Sequence, residues 1–295
     1  MQPGEPSRTA LAAAYHRAAH QVLERGAIFA DPLAVRILGA EAETALRDAK
    51  NNPSRRMMRL FIAVRSRFAE DCVAAAVGRG VSQLVVLGAG LDTYAYRSPL
   101  PGGLHIFEVD HPSTQAWKRQ RLAETAIPVP PALTFAPVDF ERESLMESLT
   151  AVGFDSTEQT FFTWLGVVPY LTEEAVFSTL GFIARLPGGA HVAFDYGNPP
   201  APGPDKNEYA ALREKLAARV ASVGEALRSH FETDVLHAKL MALGFRELED
   251  LGPAQIQERY FPDRGGPLRD RGGHVVRATT VKATDLKHHS AQASR

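Results

Sequence analysis

The chain has 295 residues, of which 45% are hydrophobic and 23% are charged, and its formal net charge is −1. This composition is typical of a globular protein with a sizeable core, and the near-neutral charge gives no electrostatic case for nucleic acid or a membrane surface as a partner. The single cysteine, Cys72, excludes an internal disulfide and a multi-cysteine metal site. The N-terminal residues lack the charged start and apolar core of a signal peptide, so we expect a cytoplasmic protein.

Residues 1–80 are predicted to form a helical cover over the rest of the chain. Residues 9–25 are rich in alanine, with apolar side chains at helical intervals. Asp31 and Pro32 have the pattern of a cap followed by a first-turn proline, which predicts the start of a second helix. A third helix is predicted at residues 55–77, where apolar residues form one stripe.

From residue 81 the pattern changes to alternating strands and helices, which indicates a mainly parallel, doubly wound α/β sheet. Strands are predicted at residues 83–87, 104–109, 133–138, 160–167, 191–196, 245–251 and 274–281. Helices are predicted between them at residues 112–124, 140–151, 173–186 and 234–243. A loop without a clear helical pattern separates the last two strands, so we expect them to form an antiparallel edge pair. Residues 81–282 are therefore predicted to be one Rossmann-like core.

A proline-rich stretch at residues 198–204 interrupts this alternation, because proline can continue neither a strand nor a helix. An alanine-rich helix is predicted to follow at residues 207–223. The insertion as a whole, residues 198–231, is predicted to be a helical lid above the carboxyl end of the sheet. A surface insertion with no functional role is the alternative. Residues 283–295 are predicted to be a disordered tail.

The most informative motif is the turn after the first strand, Gly88-Ala89-Gly90-Leu91-Asp92-Thr93. The next strand ends in the acids Glu108 and Asp110, about 20 residues downstream. Glycines let a backbone approach a ligand closely, and an acid at this distance binds the hydroxyls of a ribose. A tight turn between strand and helix, without a ligand, is the alternative interpretation.

Two residues of this turn argue against a dinucleotide. The dinucleotide fingerprint has a third glycine where this chain has Thr93. Asp92 would place a negative charge beside a pyrophosphate, which prefers neutral or positive surroundings. S-adenosylmethionine carries no phosphate and has a positive sulfonium, so it is compatible with acids around the turn. We therefore predict S-adenosylmethionine as the cofactor.

Several segments together resemble the leucine carboxyl methyltransferase family, including its bacterial branch of polyketide-type O-methyltransferases. The glycine turn, with the Glu108-Val109-Asp110 run at this spacing, is its most specific feature. The matching segments are residues 9–11, 17–20, 29–34, 63–68, 87–97, 107–112 and 164–172. The resemblance implies the class I methyltransferase fold, a seven-stranded sheet with an N-terminal helical cover. It also implies methyl transfer from S-adenosylmethionine to a carboxylate or hydroxyl oxygen.

By this resemblance, the glycines and acids of the first two strands bind the cofactor. Gly88 and Gly90 would let the backbone pass close to its methionine half. Asp110 would bind the ribose, with Glu108 two residues earlier on the same face of the strand. A solvated strand end is the alternative for the two acids, and Asp110 could instead help to cap the helix that begins at His111-Pro112.

The remaining implied contacts lie on the helical cover and after the third strand. Arg65 matches the family arginine that holds the methionine carboxylate, a role suited to a guanidinium fork. Arg17 is the candidate for a second basic group on that carboxylate. Asp139 and Phe140 match the adenine-side pair, although Asp139 could instead be the N-cap of the helix predicted at residues 140–151.

One position departs from the family pattern. Leu165 stands where better-known members carry a glutamate, so one polar contact to the cofactor is lost or moved. Asp195 and Tyr196, at the end of the fifth strand, are predicted to lie on the substrate side. No histidine is placed well enough to be named catalytic, and no metal site is predicted.

The predicted function is S-adenosylmethionine-dependent O-methylation of a small molecule, such as a polyketide-type metabolite. The alternatives are an NAD-dependent oxidoreductase and a non-catalytic cofactor-binding protein of the same fold. The oligomeric state is not predicted.

Overall fold

In the computed structural model, one seven-stranded sheet is flanked by helices on both faces. The structure describes residues 7–97, 102–139, 143–199, 218, 226–263 and 271–281. Phe140, almost all of the lid helix predicted at residues 207–223 and the tail predicted at residues 283–295 lie outside these ranges.

The strands lie close to their predicted positions. They are β1 (Gln83–Leu87), β2 (His105–Asp110), β3 (Leu133–Pro137), β4 (Thr160–Trp164), β5 (Ala190–Gly197), β6 (Glu247–Leu251) and β7 (Gly273–Thr279). Their order in the sheet is β3-β2-β1-β4-β5-β7-β6. Strands β1 to β5 pair in parallel, and β7 runs antiparallel between β5 and β6. The expected antiparallel pair of the last two strands is present, with β6 at the edge.

The helices of the described chain are α1 (Arg8–Leu23), α2 (Ala42–Asn51), α3 (Arg56–Val77), α4 (Pro112–Glu124), α5 (Leu145–Ala151), α6 (Glu173–Ala184), α7 (Thr233–Leu243) and α8 (Pro253–Tyr260). Short 3₁₀ helices occupy Arg36–Glu41, Pro53–Arg55, Tyr94–Tyr96 and Val168–Tyr170. Within the described ranges, no helix combines the length and the apolar character needed to cross a bilayer.

The sheet separates two hydrophobic cores. Alternate residues of β1 point to opposite faces, so Leu84 packs into the core that contains Phe68 of α3. Val85, the next residue, packs into the core that contains Val176 of α6 and Leu240 of α7. Every residue of β1 and of β4 is buried, as expected for central strands covered on both faces. The helical cover therefore shares its core with the sheet.

Three predicted elements differ from the structure. Helix α8 occupies the connection between β6 and β7 that was expected to be a loop, and Pro253 is in its first turn. Helix α5 begins at Leu145 rather than at residue 140, with the Ser144 hydroxyl as its N-cap. Asp31 starts no helix, because its carboxylate accepts hydrogen bonds from the Leu33 N–H and the Thr93 hydroxyl and so holds a turn.

Candidate functional site

The order of the strands creates a switch point at the carboxyl end of β1 and β4. After β3 at one edge, the chain returns to place β4 on the other side of β1, and a crevice forms where strand order reverses. Because β1 to β5 are parallel, their ends meet at this edge. The polar and glycine residues gathered there are Gly88, Asp110, Asp139, Gly166 and Asp195.

The glycine turn has a conformation that few other residues adopt. Gly88 and Gly90 have φ values of 67° and 44°, in the left-handed region. A Cβ on Gly88 would lie 2.4 Å from Val167 Cγ2, and one on Gly90 would lie 2.9 Å from Ala10 Cβ of α1. The two glycines therefore let the turn pack between the cover and the loop after β4.

Asp110 holds the turn from the neighbouring strand. Its Oδ2 accepts a hydrogen bond of 2.6 Å from Gly90 N, and its Oδ1 accepts one of 2.7 Å from His111 N. Burial raises the pKa of Asp110, while these two backbone N–H groups act in the opposite direction. An ionised carboxylate offers about four acceptor positions, so Asp110 keeps capacity for the hydroxyls of a ligand.

Glu108 lies deeper, in a buried network. Its Oε2 is 2.8 Å from Lys118 Nζ of α4 and accepts a hydrogen bond of 2.9 Å from the Tyr96 hydroxyl. Burial raises the pKa of Glu108 in spite of the nearby ammonium. Oε1 has no hydrogen-bond partner among the residues the structure describes. Oε2 therefore links β2 to α4, and a ribose contact of Glu108 stays a prediction.

Arg65 projects from α3 to the ends of β4 and β5. Its Nη1 is 3.1 Å from Asp195 Oδ2, and its side chain is 12% exposed. A guanidinium has five N–H donors in a fixed fork, so the contact with one carboxylate oxygen leaves donor capacity for a second anion. The structure thus brings the predicted carboxylate-binding arginine to the switch point, across from Asp110.

Arg17 reaches the same turn from α1. Its Nη2 donates to the carbonyl oxygen of Leu91, and its Nε is 3.5 Å from Asp31 Oδ2. The Arg17 side chain is buried, and its contacts connect the cover to the glycine turn. A further contact with a cofactor carboxylate stays a prediction. Arg97, which follows the turn in the chain, forms its close ion pair with Glu70.

Asp139 follows β3 beside the end of β2. Val138 N donates to the Asp110 carbonyl oxygen at 2.9 Å, which fixes this segment against β2. Since α5 begins at Leu145, Asp139 is not its N-cap, and the capping alternative is wrong. A contact with adenine remains a prediction, and its partner Phe140 lies outside the described residues.

The sequence profile of the leucine carboxyl methyltransferase family matches residues 10–184, a range that includes most of the cover, the glycine turn and Asp110. The chain belongs to this family. The predicted resemblance is therefore confirmed over more than half of the chain.

Relatives of known sequence agree with this family assignment. YktD of Bacillus subtilis, named as a candidate S-adenosyl-L-methionine-dependent methyltransferase, is 34% identical over 192 residues, which are 63% of this chain and 60% of YktD. A Mycolicibacterium paratuberculosis protein of the same description is 30% identical over 274 residues, covering 88% of this chain and 78% of that protein. The chain thus spans less than two thirds of YktD.

A solved structure supports the fold. The crystal structure of a candidate methyltransferase from Thermobifida fusca has a TM-score of 0.54 and 17% identity, and the alignment covers 94% of this chain and 96% of that one. At this identity the similarity concerns architecture only. Together with the strand order, it confirms the predicted class I methyltransferase fold.

Asp195 and Tyr196 of this leucine carboxyl methyltransferase family member were predicted to lie on the substrate side, and the structure differs from that prediction. Tyr196 does not face the cleft: it is 2% exposed, and its hydroxyl donates to Asp250 Oδ2 at 2.6 Å on the opposite face of the sheet. Asp195, one residue earlier, faces α3 and binds Arg65. Strand alternation predicts these opposite directions, but the partners come from distant parts of the chain.

Leu165 is half-buried and packs against the core on the α3 side of the sheet. A leucine offers no acceptor, so the polar contact expected from family members is absent at this position. The next residue, Gly166, instead presents its backbone N–H to Asp195. Sequence reasoning did not single out Gly166, although a glycine inside a predicted strand, here residues 160–167, is a signal for close backbone approach.

Proposed function

We propose that the chain is a S-adenosylmethionine-dependent methyltransferase that modifies a carboxylate or hydroxyl oxygen of a small molecule. The observation that carries the proposal is that two groups lie at the same switch point: Asp110, which ends β2 and binds the glycine turn, and Arg65, which reaches Asp195 from the cover. One is an acceptor for ribose hydroxyls, and the other is a cation for an amino-acid carboxylate. Family membership supports the same cofactor.

The donor and acceptor groups at this edge fit S-adenosylmethionine. The nucleoside end needs hydrogen-bond acceptors, which Asp110 supplies and Asp139 would add. The amino-acid end needs a cation, which Arg65 supplies. The acids around the turn, including Asp92, are compatible with a positive sulfonium, because a nearby negative charge stabilises it.

A pyrophosphate fits this edge poorly. In dinucleotide-binding folds, the phosphates lie at the N-terminus of the α-helix that follows the glycine turn. Here the turn is followed by a 3₁₀ helix, Tyr94–Tyr96, and the Thr93 side chain is buried with its hydroxyl bonded to Asp31. These features argue against the NAD-dependent oxidoreductase.

When bound, the cofactor supplies an activated methyl group on sulfur. The chain contributes binding and orientation: Asp110 would hold the nucleoside, and Arg65 would hold the amino-acid end. Alignment of this kind supplies most of the rate enhancement expected for an in-line displacement. A carboxylate acceptor is already anionic and needs no base, whereas a hydroxyl acceptor requires one.

The site assignment is tested by binding of S-adenosylhomocysteine, measured by isothermal titration calorimetry. We expect a Kd in about the micromolar range for the unmodified protein. Asp110→Ala and Arg65→Ala each remove hydrogen bonds that involve a charged group, worth about 1.5–3 kcal/mol, so each should weaken binding roughly 10- to 100-fold.

Arg67→Ala is the matched control for Arg65→Ala. Arg67 lies on the same helix, is 51% exposed and pairs with Asp71, away from the switch point. Its removal should leave binding unchanged. Normal binding in both Asp110→Ala and Arg65→Ala would refute the assigned site, and a thermal shift with NADH but not with S-adenosylhomocysteine would refute the cofactor.

Catalysis is tested separately, by incubating the protein with methyl-labelled S-adenosylmethionine and a metabolite extract. A labelled small molecule, absent with Arg65→Ala, is the expected result. Binding of the cofactor without transfer to any acceptor would instead indicate a non-catalytic member of the family.

A further inference from the structure

Asp195 links three separate elements at the switch point. Its Oδ2 lies 3.1 Å from Arg65 Nη1 on α3, and its Oδ1 accepts a hydrogen bond of 2.5 Å from Gly166 N in the loop after β4. The side chain of Asp195 is 4% exposed. Both carboxylate oxygens are therefore engaged within the protein, which places Asp195 beneath Arg65 rather than against an acceptor substrate.

Gly166 and Asp195 together form the seat of the Arg65 guanidinium, that is, the surface against which it packs. Its φ is 71°, and a Cβ built on it would lie 2.5 Å from Nη2 and 2.9 Å from Cζ of Arg65. The guanidinium thus occupies the space that any other residue at position 166 would fill. Arg65 is fixed by charge from Asp195 on one side and by contact with the Gly166 backbone on another.

We propose that Asp195 is a positioning residue that, with Gly166, holds Arg65 in the orientation in which it receives the carboxylate of the cofactor. This inference rests on the proposed function and deepens it, because it assigns the amino-acid end of the ligand a preformed partner. A long side chain that is already ordered loses little conformational entropy when the ligand binds. The seat therefore converts Arg65 from a flexible cation into a fixed one.

The inference makes a ligand-specific prediction. S-adenosylhomocysteine and 5′-methylthioadenosine share the nucleoside and the sulfur, but only the first has an amino-acid end. Asp195→Asn keeps one oxygen for Gly166 N and removes the charge that orients Arg65. We expect it to weaken binding of S-adenosylhomocysteine about tenfold, while binding of 5′-methylthioadenosine changes less than about twofold.

Four further variants make the test decisive. Gly166→Ala displaces the guanidinium by a different route and should produce the same selective loss. Arg65→Ala should abolish the preference for S-adenosylhomocysteine, and adding Asp195→Asn to it should cause no further loss. Glu24→Gln is the control, because it removes the charge and one of the two 2.7 Å hydrogen bonds between Glu24 and Arg59 of α3, away from Arg65. It should lower the melting temperature without changing the ratio of the two affinities.

Each outcome has one meaning. Equal weakening of both ligands in Asp195→Asn and Gly166→Ala would show a general structural role and overturn the inference. Unchanged or tighter binding of S-adenosylhomocysteine in Asp195→Asn would also overturn it. If Arg65→Ala retains the preference, the inference fails while the cofactor proposal stands. If the unmodified protein binds neither ligand, the proposed function itself fails.

Discussion

Ionisable residues at the two edges of the sheet differ in their partners. At the carboxyl edge of the sheet, Asp110 accepts a hydrogen bond from a backbone N–H, and Asp195 accepts one from Arg65. At the opposite end of β5, His191 is 2% exposed, and its Nδ1 has no hydrogen-bond partner among the described residues. Asp110 and Asp195 thus have hydrogen-bond donors beside their carboxylates, whereas burial lowers the pKa of His191 and favours its neutral form.

His191 gives a stability prediction at this residue scale. Burial, followed by the charges of Arg79 and Arg277, lowers its pKa from 6.5 to about 4. The unfolded chain therefore binds a proton in a pH range where the folded chain does not. The stability contributed by neutral His191 is complete above about pH 6.5 and is lost as the pH falls toward 4.

The measurement is urea unfolding at pH 7 and pH 5, with His191→Phe as the comparison. Phenylalanine preserves the ring that stacks on Phe161, whose centroid is 5.8 Å away, and it cannot titrate. Between the two pH values, the unmodified protein should lose about 2 kcal/mol more stability than the variant. Equal losses in the two proteins would show that His191 does not titrate in this range.

At the scale of elements, helix starts depend on side chains that lie just outside the helix. The Thr172 hydroxyl accepts a hydrogen bond of 3.3 Å from Ala175 N and caps α6, and two acids, Glu173 and Glu174, occupy its first turn. Both features favour a helix start, because the first N–H groups lack intrahelical partners and carry positive partial charge. The sequence therefore predicted the beginning of α6 correctly.

Removing this cap should have a small, defined cost. Thr172→Ala should lower the free energy of unfolding by about 1 kcal/mol, whereas Thr172→Ser, which keeps the hydroxyl, should stay close to the unmodified protein. Thermal unfolding followed by circular dichroism would show the Ala variant melting about 2 °C lower. A Ser variant as destabilised as the Ala variant would mean that the hydroxyl does not cap the helix.

Two other helices show why element boundaries were harder to predict. Asp139 is a residue type that often caps a helix, yet α5 begins only at Leu145, after Ser144. Helix α8 has only eight residues, with Gly252 and Pro253 at its start. A short helix gives too few turns for a clear apolar period, so the pattern there was read as a loop.

On the scale of the whole molecule, the cover and the sheet are joined by a shared core and by polar contacts. Ala14 of α1 and Phe68 of α3 pack with Leu84 of β1. The Thr93 hydroxyl donates to Asp31 at 2.7 Å, with both groups buried. A boundary at residue 80 remains a prediction about chain organisation, but these contacts bury the surface that an independent unit would expose.

We therefore expect one cooperative unfolding transition. Circular dichroism, which reports all helices, should give the same midpoint as the fluorescence of Trp117 and Trp164, which belong to α4 and β4. Saturating S-adenosylhomocysteine should shift both midpoints upward together. A helix signal lost before the tryptophan signal would show that the cover unfolds separately.

The sequence alone determined the class of fold and predicted where the candidate site lies. Alternating apolar strands and helices specify a parallel sheet, and parallel strands bring their carboxyl ends to one edge, so Gly88, Asp110 and Asp139 could be placed together without coordinates. Local patterns carry this information because side-chain periodicity reports which face of an element is buried.

Only the tertiary structure decided which charged groups meet. Arg65 and Asp195 are 130 positions apart, and their contact depends on how α3 crosses the sheet, which no local pattern specifies. The same reason explains why Arg97 pairs with Glu70 and why Glu108 is enclosed by Lys118 and Tyr96. Periodicity determines the direction in which a side chain points, but its partner is set by the packing of elements that are distant in the chain.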